Sequence, residues 1–194
     1  QPPAPEEEVA RVELHDLAVG GSGLGRLADG RVVFVRGGLA GETVRARILR
    51  RRKDYAEAEL LELLASSSRR VEPGCPVHGR CGGCDLMHLD YPAQVEAKAG
   101  WVVRALRRLE GLPEAQVLAS PRQWGCRNRV RLQLKQGVPG FFARRSHQLV
   151  SVQSCPAAAP GINRVIPQLS TVLAEPPWNE CRWVEVLAGE QDPV

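Results

Sequence analysis

Aromatic residues are scarce in this chain: three Phe, two Tyr and four Trp make up 5% of its 194 residues. A core built on stacked rings is therefore excluded, and Val, Leu and Ala must do most of the filling. Long apolar runs are also missing. None approaches the roughly 20 residues that a membrane-spanning helix needs, so no membrane partner is expected. The first residues, Gln1 to Glu8, are rich in Pro and Glu and lack a basic stretch followed by an apolar one. That excludes a signal peptide at this position and predicts a flexible tail over residues 1–10 and a cytoplasmic protein. Without an export signal, disulfides are not expected. There is no internal repeat, and no set of side chains reads as a catalytic constellation.

What is present begins with charge. The chain carries 26 Lys and Arg against 22 Asp and Glu, a net of +4. Its distribution is uneven. Residues 101–150 hold ten Lys or Arg against two Glu, whereas residues 151–194 hold two Arg against five acids. A basic surface for a polyanion, with RNA as the partner, is the reading this asymmetry favours. A hydrophobic content of 43% is enough for at least one real core.

Residues 11–19 alternate apolar and polar and predict a strand. Gly20 to Gly25 reads as a tight glycine-rich loop. Asp29-Gly30 is a hairpin signal, with a strand leaving it over residues 31–35. Residues 42–50 alternate, with Val44, Ala46 and Ile48 on one face and Arg45 and Arg47 on the other. A basic turn follows at Arg50 to Lys53. Tyr55 to Leu64 fits either a strand or a short helix. Short strands joined by glycine turns within about 60 residues predict a small closed barrel of the oligonucleotide-binding type over residues 11–66.

Residues 67–194 predict a second domain, and the fold class is mainly β with some α (α+β). Asp90 and Pro92 suit the start of a helix whose apolar stripe is Val95, Ala99, Val102, Leu106 and Leu109, stopped by Gly111 and Pro113. Residues 128–135 alternate as a strand. Gly137 to Gly140 reads as a turn, Phe141-Phe142 and residues 149–152 as paired strands, and residues 162–173 as a short helix. Residues 182–187 look like a strand that begins another element.

The strongest chemical signal is Cys75-Pro-Val-His-Gly-Arg-Cys81-Gly-Gly-Cys84. Three thiols within ten residues converge cheaply on one ligand, and Gly82-Gly83 lets the backbone wrap closely around it. A fourth thiol can come from a distant segment. Cys155, followed by Pro156, is the choice, because Pro fixes the chain and offers no competing N–H. Cys126 and Cys181 lie in less turn-like contexts. Spacing alone leaves an iron–sulfur cluster and a structural zinc site open, the latter with His78 or His88 as a further ligand.

Gly21-Ser-Gly23-Leu-Gly25 resembles a nucleotide-cofactor loop, but a short strand and a hairpin follow it where a helix is required, so it is read as part of the barrel. The candidate RNA-binding residues are Arg45, Arg47, Arg50, Arg51, Arg52, Lys53, Arg127, Arg129 and Arg131, with strand alternation placing Arg129 and Arg131 on one face. Phe34, Tyr55, Phe141 and Phe142 offer stacking surfaces for unpaired bases, although core packing is the commoner role for any one of them. Cys126 has Arg127 and Arg129 nearby but no recognisable base, and is read as an incidental thiol.

At Cys75-x5-Cys81-Gly-Gly-Cys84, then Met87-His88 and Tyr91-Pro-Ala-Gln94-x3-Lys98, the chain resembles the RNA uracil-C5 methyltransferases, and most closely the bacterial type that acts on large-subunit ribosomal RNA. Gly20 to Gly25 and Gly41-Glu42-Thr43-Val44 resemble that family's TRAM barrel. Arg127-Asn128-Arg129-Val130-Arg131, Gly140-Phe141 and Ser151-Val-x2-Cys155-Pro156 resemble its central domain. The resemblance implies a four-iron four-sulfur (4Fe-4S) cluster on Cys75, Cys81, Cys84 and Cys155. It also implies a TRAM surface that grips RNA, ribosomal or transfer, and S-adenosylmethionine as the methyl donor of the whole enzyme. In the family, the methyl-donor loop, the catalytic cysteine and the general base belong to a C-terminal domain. None of those motifs occurs here, so a monomeric but inactive portion of a longer protein is expected. The alternative is a stand-alone RNA-binding module with a structural zinc or iron–sulfur site. Methylthiotransferases also join TRAM to a cluster, but there a Cys-x3-Cys-x2-Cys motif precedes the barrel.

Overall fold

The computed structural model describes residues 8–111, 116–173 and 178–189. The chain divides into two compact units, Gln1–Glu72 with His88–Leu118, and Pro73–Met87 with Ala119–Val194.

The first unit is a closed five-stranded barrel. Its strands are β1 (Val9–Leu17), β2 (Ser22–Arg26), β3 (Val32–Arg36), β4 (Thr43–Arg51) and β5 (Tyr55–Ala65), in the order β1-β2-β3-β5-β4. Pairing of Val12 with Val44 and their neighbours closes the ring, and β3 runs parallel to β5. Alternation dictates the interior: Val12, Leu14, Val33, Val35, Val44, Ala46, Ala56 and Ala58 form its core. Segment 55–64, open between strand and helix in the sequence, is the eleven-residue strand β5. Closure leaves no exposed edge, which favours the extended form there.

The expected glycine loop at residues 20–25 is corrected in part. Gly20 and Gly21 turn with positive φ, but Ser22–Arg26 is strand β2. Gly23 faces inward, and a Cβ there would sit 2.7 Å from Leu14 Cδ1 and 2.9 Å from the Gly38 carbonyl oxygen. Glycine here lets a narrow barrel close, and no helix follows it to cradle a phosphate.

Helix α1 (Tyr91–Leu106) belongs to the first unit. Asp90 caps it: its Oδ1 accepts the Ala93 N–H at 2.8 Å. The predicted apolar stripe is not the buried face. Val102, Leu106 and Leu109 are exposed, whereas Ala93 is buried and the Trp101 indole N–H donates to the Leu17 carbonyl at 2.8 Å. Small residues and one aromatic with a polar handle make the contact, which a search for large aliphatics overlooks. Pro113 lies outside the described residues.

In the second unit an antiparallel sheet has the order β8-β7-β6-β9, from β6 (Arg129–Lys135), β7 (Val138–Phe142), β8 (Leu149–Ser151) and β9 (Trp183–Leu187). The turn expected at residues 137–140 is shorter. Gln136 and Gly137 take positive φ, and Val138 to Gly140 already belong to β7. Strand β9 returns to pair with β6, Leu132 opposite Val184. Helix α2 (Pro160–Val172) covers one face, burying Ile162, Ile166 and Leu169 against Val130 and Leu132.

Candidate metal centre and nucleic-acid interface

The segment Pro73–Met87 has no helix or strand. Backbone turns shape it: the His78 N–H donates to the Cys75 carbonyl at 3.0 Å, and the Cys81 N–H to the Val77 carbonyl at 2.9 Å. It is pinned to the end of β7, where the Gly82 N–H donates to the Phe142 carbonyl at 2.9 Å. A Cβ on Gly82 would press on that carbonyl oxygen and on Arg144 backbone atoms at 3.0–3.2 Å, so this close approach favours glycine. Arg144 also ion-pairs with Asp85.

Cys155 arrives from the loop between β8 and α2. The side chain of Asn163, in the first turns of α2, fixes that loop from both sides. Its Oδ1 accepts the Cys155 N–H at 2.8 Å, and its Nδ2 donates to the Cys155 carbonyl at 3.0 Å and the Ala158 carbonyl at 3.1 Å. Asn163 was not singled out in the sequence. Its place eight residues after a Cys-Pro pair, just inside a Pro-started helix, was the available signal.

All four predicted ligands, Cys75, Cys81, Cys84 and Cys155, line one cavity of about 290 Å³. Each is half-buried, whereas Cys126 and Cys181 are exposed and line no part of it. The walls are mostly apolar, with Val77, Met87, Val130, Phe141 and Val152, and Arg127, Arg129 and Arg131 join the lining. Burial pushes the Cys81 and Cys84 thiols up, and the neighbouring cysteines push the same way. The Gly83 N–H, 3.4 Å from Cys81 Sγ, and the charge of Arg127 near Cys84 oppose this. Four thiols lining one mostly apolar cavity, with Arg127 the cation that acts on Cys84, form a site that a positively charged inorganic group would stabilise as thiolates. Among the described residues no group of three or more His, Cys, Asp or Glu side chains is arranged to hold a single metal ion. His78 lines the cavity; His88 is buried in the barrel unit and does not.

The candidate RNA-binding residues separate into three groups. Arg45 pairs with Glu62 at 2.8 Å, Arg47 with Glu59, and Arg51 with Glu8 and Asp29, so much of this charge on the barrel is locally compensated. Arg50, Arg52 and Lys53 are exposed at the β4–β5 turn. Arg127, Arg129 and Arg131 all line the cysteine cavity, and Arg129 and Arg131 also share Glu185 at 2.7 and 3.5 Å. Of the four aromatics, Phe34 and Tyr55 meet edge to face outside the barrel core at 5.8 Å, Phe141 packs against the core under α2, and Phe142 is exposed beside His147.

Among the described residues no helix is long and apolar enough to cross a membrane. The TRAM domain profile matches residues 6–61, the span of the barrel. A 23S rRNA (uracil(1939)-C(5))-methyltransferase RlmD of Halomonas elongata is 41% identical over 160 residues, covering 79% of this chain and 33% of that protein. An uncharacterized RNA methyltransferase of Gloeobacter violaceus is 39% identical over 157 residues, 77% of this chain and 34% of that one. Among solved structures, the Pyrococcus abyssi tRNA (uracil-54, C5)-methyltransferase in complex with S-adenosyl-L-homocysteine aligns with a TM-score of 0.59 at 28% identity, over 84% of this chain and 36% of that one. The chain spans about a third to two-fifths of the length of the curated relatives it matches. The chain thus carries a TRAM domain and is similar, over most of its own length, to part of the RNA uracil-C5 methyltransferases.

Proposed function

We propose that this chain is the RNA-recognition part of a cytoplasmic, S-adenosylmethionine-dependent RNA uracil-C5 methyltransferase acting on ribosomal RNA, and that Cys75, Cys81, Cys84 and Cys155 hold a 4Fe-4S cluster. The observation that carries the reading is the meeting of these four thiols, from two distant segments, at one mostly apolar cavity. The protein groups that would serve such a centre are the four thiolates, the Gly83 N–H toward Cys81 and the nearby Arg127 charge. When bound, the group would supply cross-linking: it would tie the irregular segment 73–87 to the loop before α2, a fixed scaffold for a bound RNA. A zinc ion would do the same with fewer atoms, so the test must separate the two. Iron, acid-labile sulfide and zinc are measured per chain after oxygen-free purification. Four irons and four sulfides, lost in Cys155→Ser, are expected; one zinc without sulfide would replace the cluster by a zinc staple.

Support for RNA as the partner comes from the barrel type, the relatives and the exposed cations at the β4–β5 turn. Replacing Arg50, Arg52 and Lys53 together by Ala is expected to weaken RNA binding and flatten its dependence on salt by about three phosphate contacts. Binding that is unchanged from low to high salt would remove this turn from the interface. No methyl-transfer residue is assigned to this chain. Methyl transfer, with S-adenosylmethionine as donor, is a property of the relatives' whole length.

A further inference from the structure

Among the described residues, the sheet of the second unit buries only one of its faces. Residues Val130 and Leu132 of β6, with Val184 and Val186 of β9, lie under α2. Register fixes the opposite face: Arg129 stands across from Leu187, Arg131 from Glu185, and Gln133 from Trp183. Trp183 is 50% exposed there and Leu187 65%. The Arg131 guanidinium lies over the Trp183 ring, 4.5 Å from its centroid.

Taking the RNA reading above as its basis, we propose that this open face is a stacking platform for an unpaired nucleotide of single-stranded RNA, with Trp183 as its base-stacking residue and Arg131 as its lid. Three observations favour this occupant. An indole half exposed on a sheet face leaves apolar area uncovered, and a nucleobase has a flat surface that fits it. The guanidinium is already parked against the indole, and a planar cation of this kind can stack on a base as readily as on a side chain. Among the described residues, the face carries Arg129, Arg131 and Lys135 against one acid, Glu185, a surplus that suits phosphates. A duplex hides its base faces, so only an unpaired residue can use the platform. Trp183 was not among the aromatics that the sequence suggested. It reaches this face only through the non-local pairing of β9 with β6.

The test measures binding of the full chain to a fluorescently labelled single-stranded oligouridylate and to a duplex of equal length, by anisotropy over a salt series. Trp183→Ala is expected to weaken single-strand binding about tenfold, the effect of losing one stacked base, with no change in the salt slope because no phosphate contact is removed. Trp183→Phe, which keeps a ring in β9 and guards against a folding artefact, is expected to restore most of the affinity. Duplex binding should be the same in all three proteins. If the unsubstituted chain binds the single strand and both Trp183 variants bind equally well, the platform is overturned while RNA recognition stands. If the unsubstituted chain binds no RNA, the functional reading itself falls and the platform with it. Dimers that form through Trp183, without any change in RNA affinity, would assign the face to a second copy and overturn the proposal.

Discussion

The two units solve the same problem, fixing irregular loops on a sheet, with different means. In the barrel unit every strand is hydrogen-bonded on both sides, and the non-strand segment after β5 is held by a buried carboxylate. Glu42, whose side chain is fully buried, accepts from the Leu39 N–H at 2.8 Å, from the Ser67 N–H at 3.3 Å and from Arg70 Nε at 2.6 Å. Arg70 in turn donates to the Gly37 carbonyl at 2.6 Å. In the second unit, α2 packs on one sheet face, and segment 73–87 is held by a few turns, the Gly82 contact, the Asp85–Arg144 ion pair and the packing of Val77, with the four cysteines at its cavity. Protein chemistry alone fastens the first unit. The second unit fastens segment 73–87 with fewer such contacts beside four thiols, and the comparison teaches where the proposed cofactor would carry structure.

The sharpest way to break the comparison is to remove the proposed cofactor. Cys84→Ser, or chelation of the metal, is expected to abolish cooperative melting of the second unit, a loss of several kcal/mol, because binding energy at such a site is folding energy. The barrel should still melt cooperatively. Hydrogen exchange resolved by segment checks this: fast exchange in residues 129–172 with protection retained in residues 9–65. Equal loss in both units would show that they are not independently fastened.

The next effect tests the other arm. Glu42→Ala leaves the Arg70 charge and two backbone donors without their acceptor in a buried place, and a loss of about 3–5 kcal/mol is expected in the barrel. Burial alone would push the Glu42 carboxyl up, but Arg70 and the Leu39 N–H outweigh it and hold it below the ordinary carboxylate range. A carboxyl lowered by folding contributes stability that is present above its unfolded pKa and is lost as pH falls through its folded one. The barrel should therefore lose stability on acidification below about pH 4.3, the unperturbed value for Glu. In Glu42→Gln that acid limb should be shallower. An unchanged acid limb in Glu42→Gln would shift the pH dependence to other carboxylates.

Much of this was legible in the sequence, and the failures share a cause. Strand β3 followed from Asp29-Gly30 and a run of Val, and β6 from clean alternation, because both signals are local. Cys155 stood out through Pro156, although its meeting with the other three thiols needed the fold. The buried face of α1 was misread because small residues, with Trp101 hydrogen-bonded to Leu17, make the contact. Gly23 and Gly25 looked like a loop because a glycine forced by a neighbour across a barrel resembles one required by a turn. Asn163 and Trp183 acquire their roles from partners far away in the chain, Asn163 through the Cys155 loop and Trp183 through β6. No window of neighbouring residues contains that information.

The smallest expected effect sharpens what the barrel can spare. Asp90 does two things for α1: Oδ1 caps Ala93, and Oδ2 pairs with Arg69 Nε at 3.0 Å. Cap loss alone costs about 1 kcal/mol, and a partly exposed ion pair adds less than that. Asp90→Ala is thus expected to lower the barrel unit's melting temperature by about 4–8 °C. Asp90→Asn, which still caps but carries no charge, should recover most of that loss. The core is closed by β1 pairing with β4, and α1 contributes only Ala93 to the buried set. Protection of β1–β5 should therefore survive in both variants while α1 alone exchanges faster in Asp90→Ala. Were the strands to open together with the helix, α1 would have to be counted as part of the barrel's cooperative core.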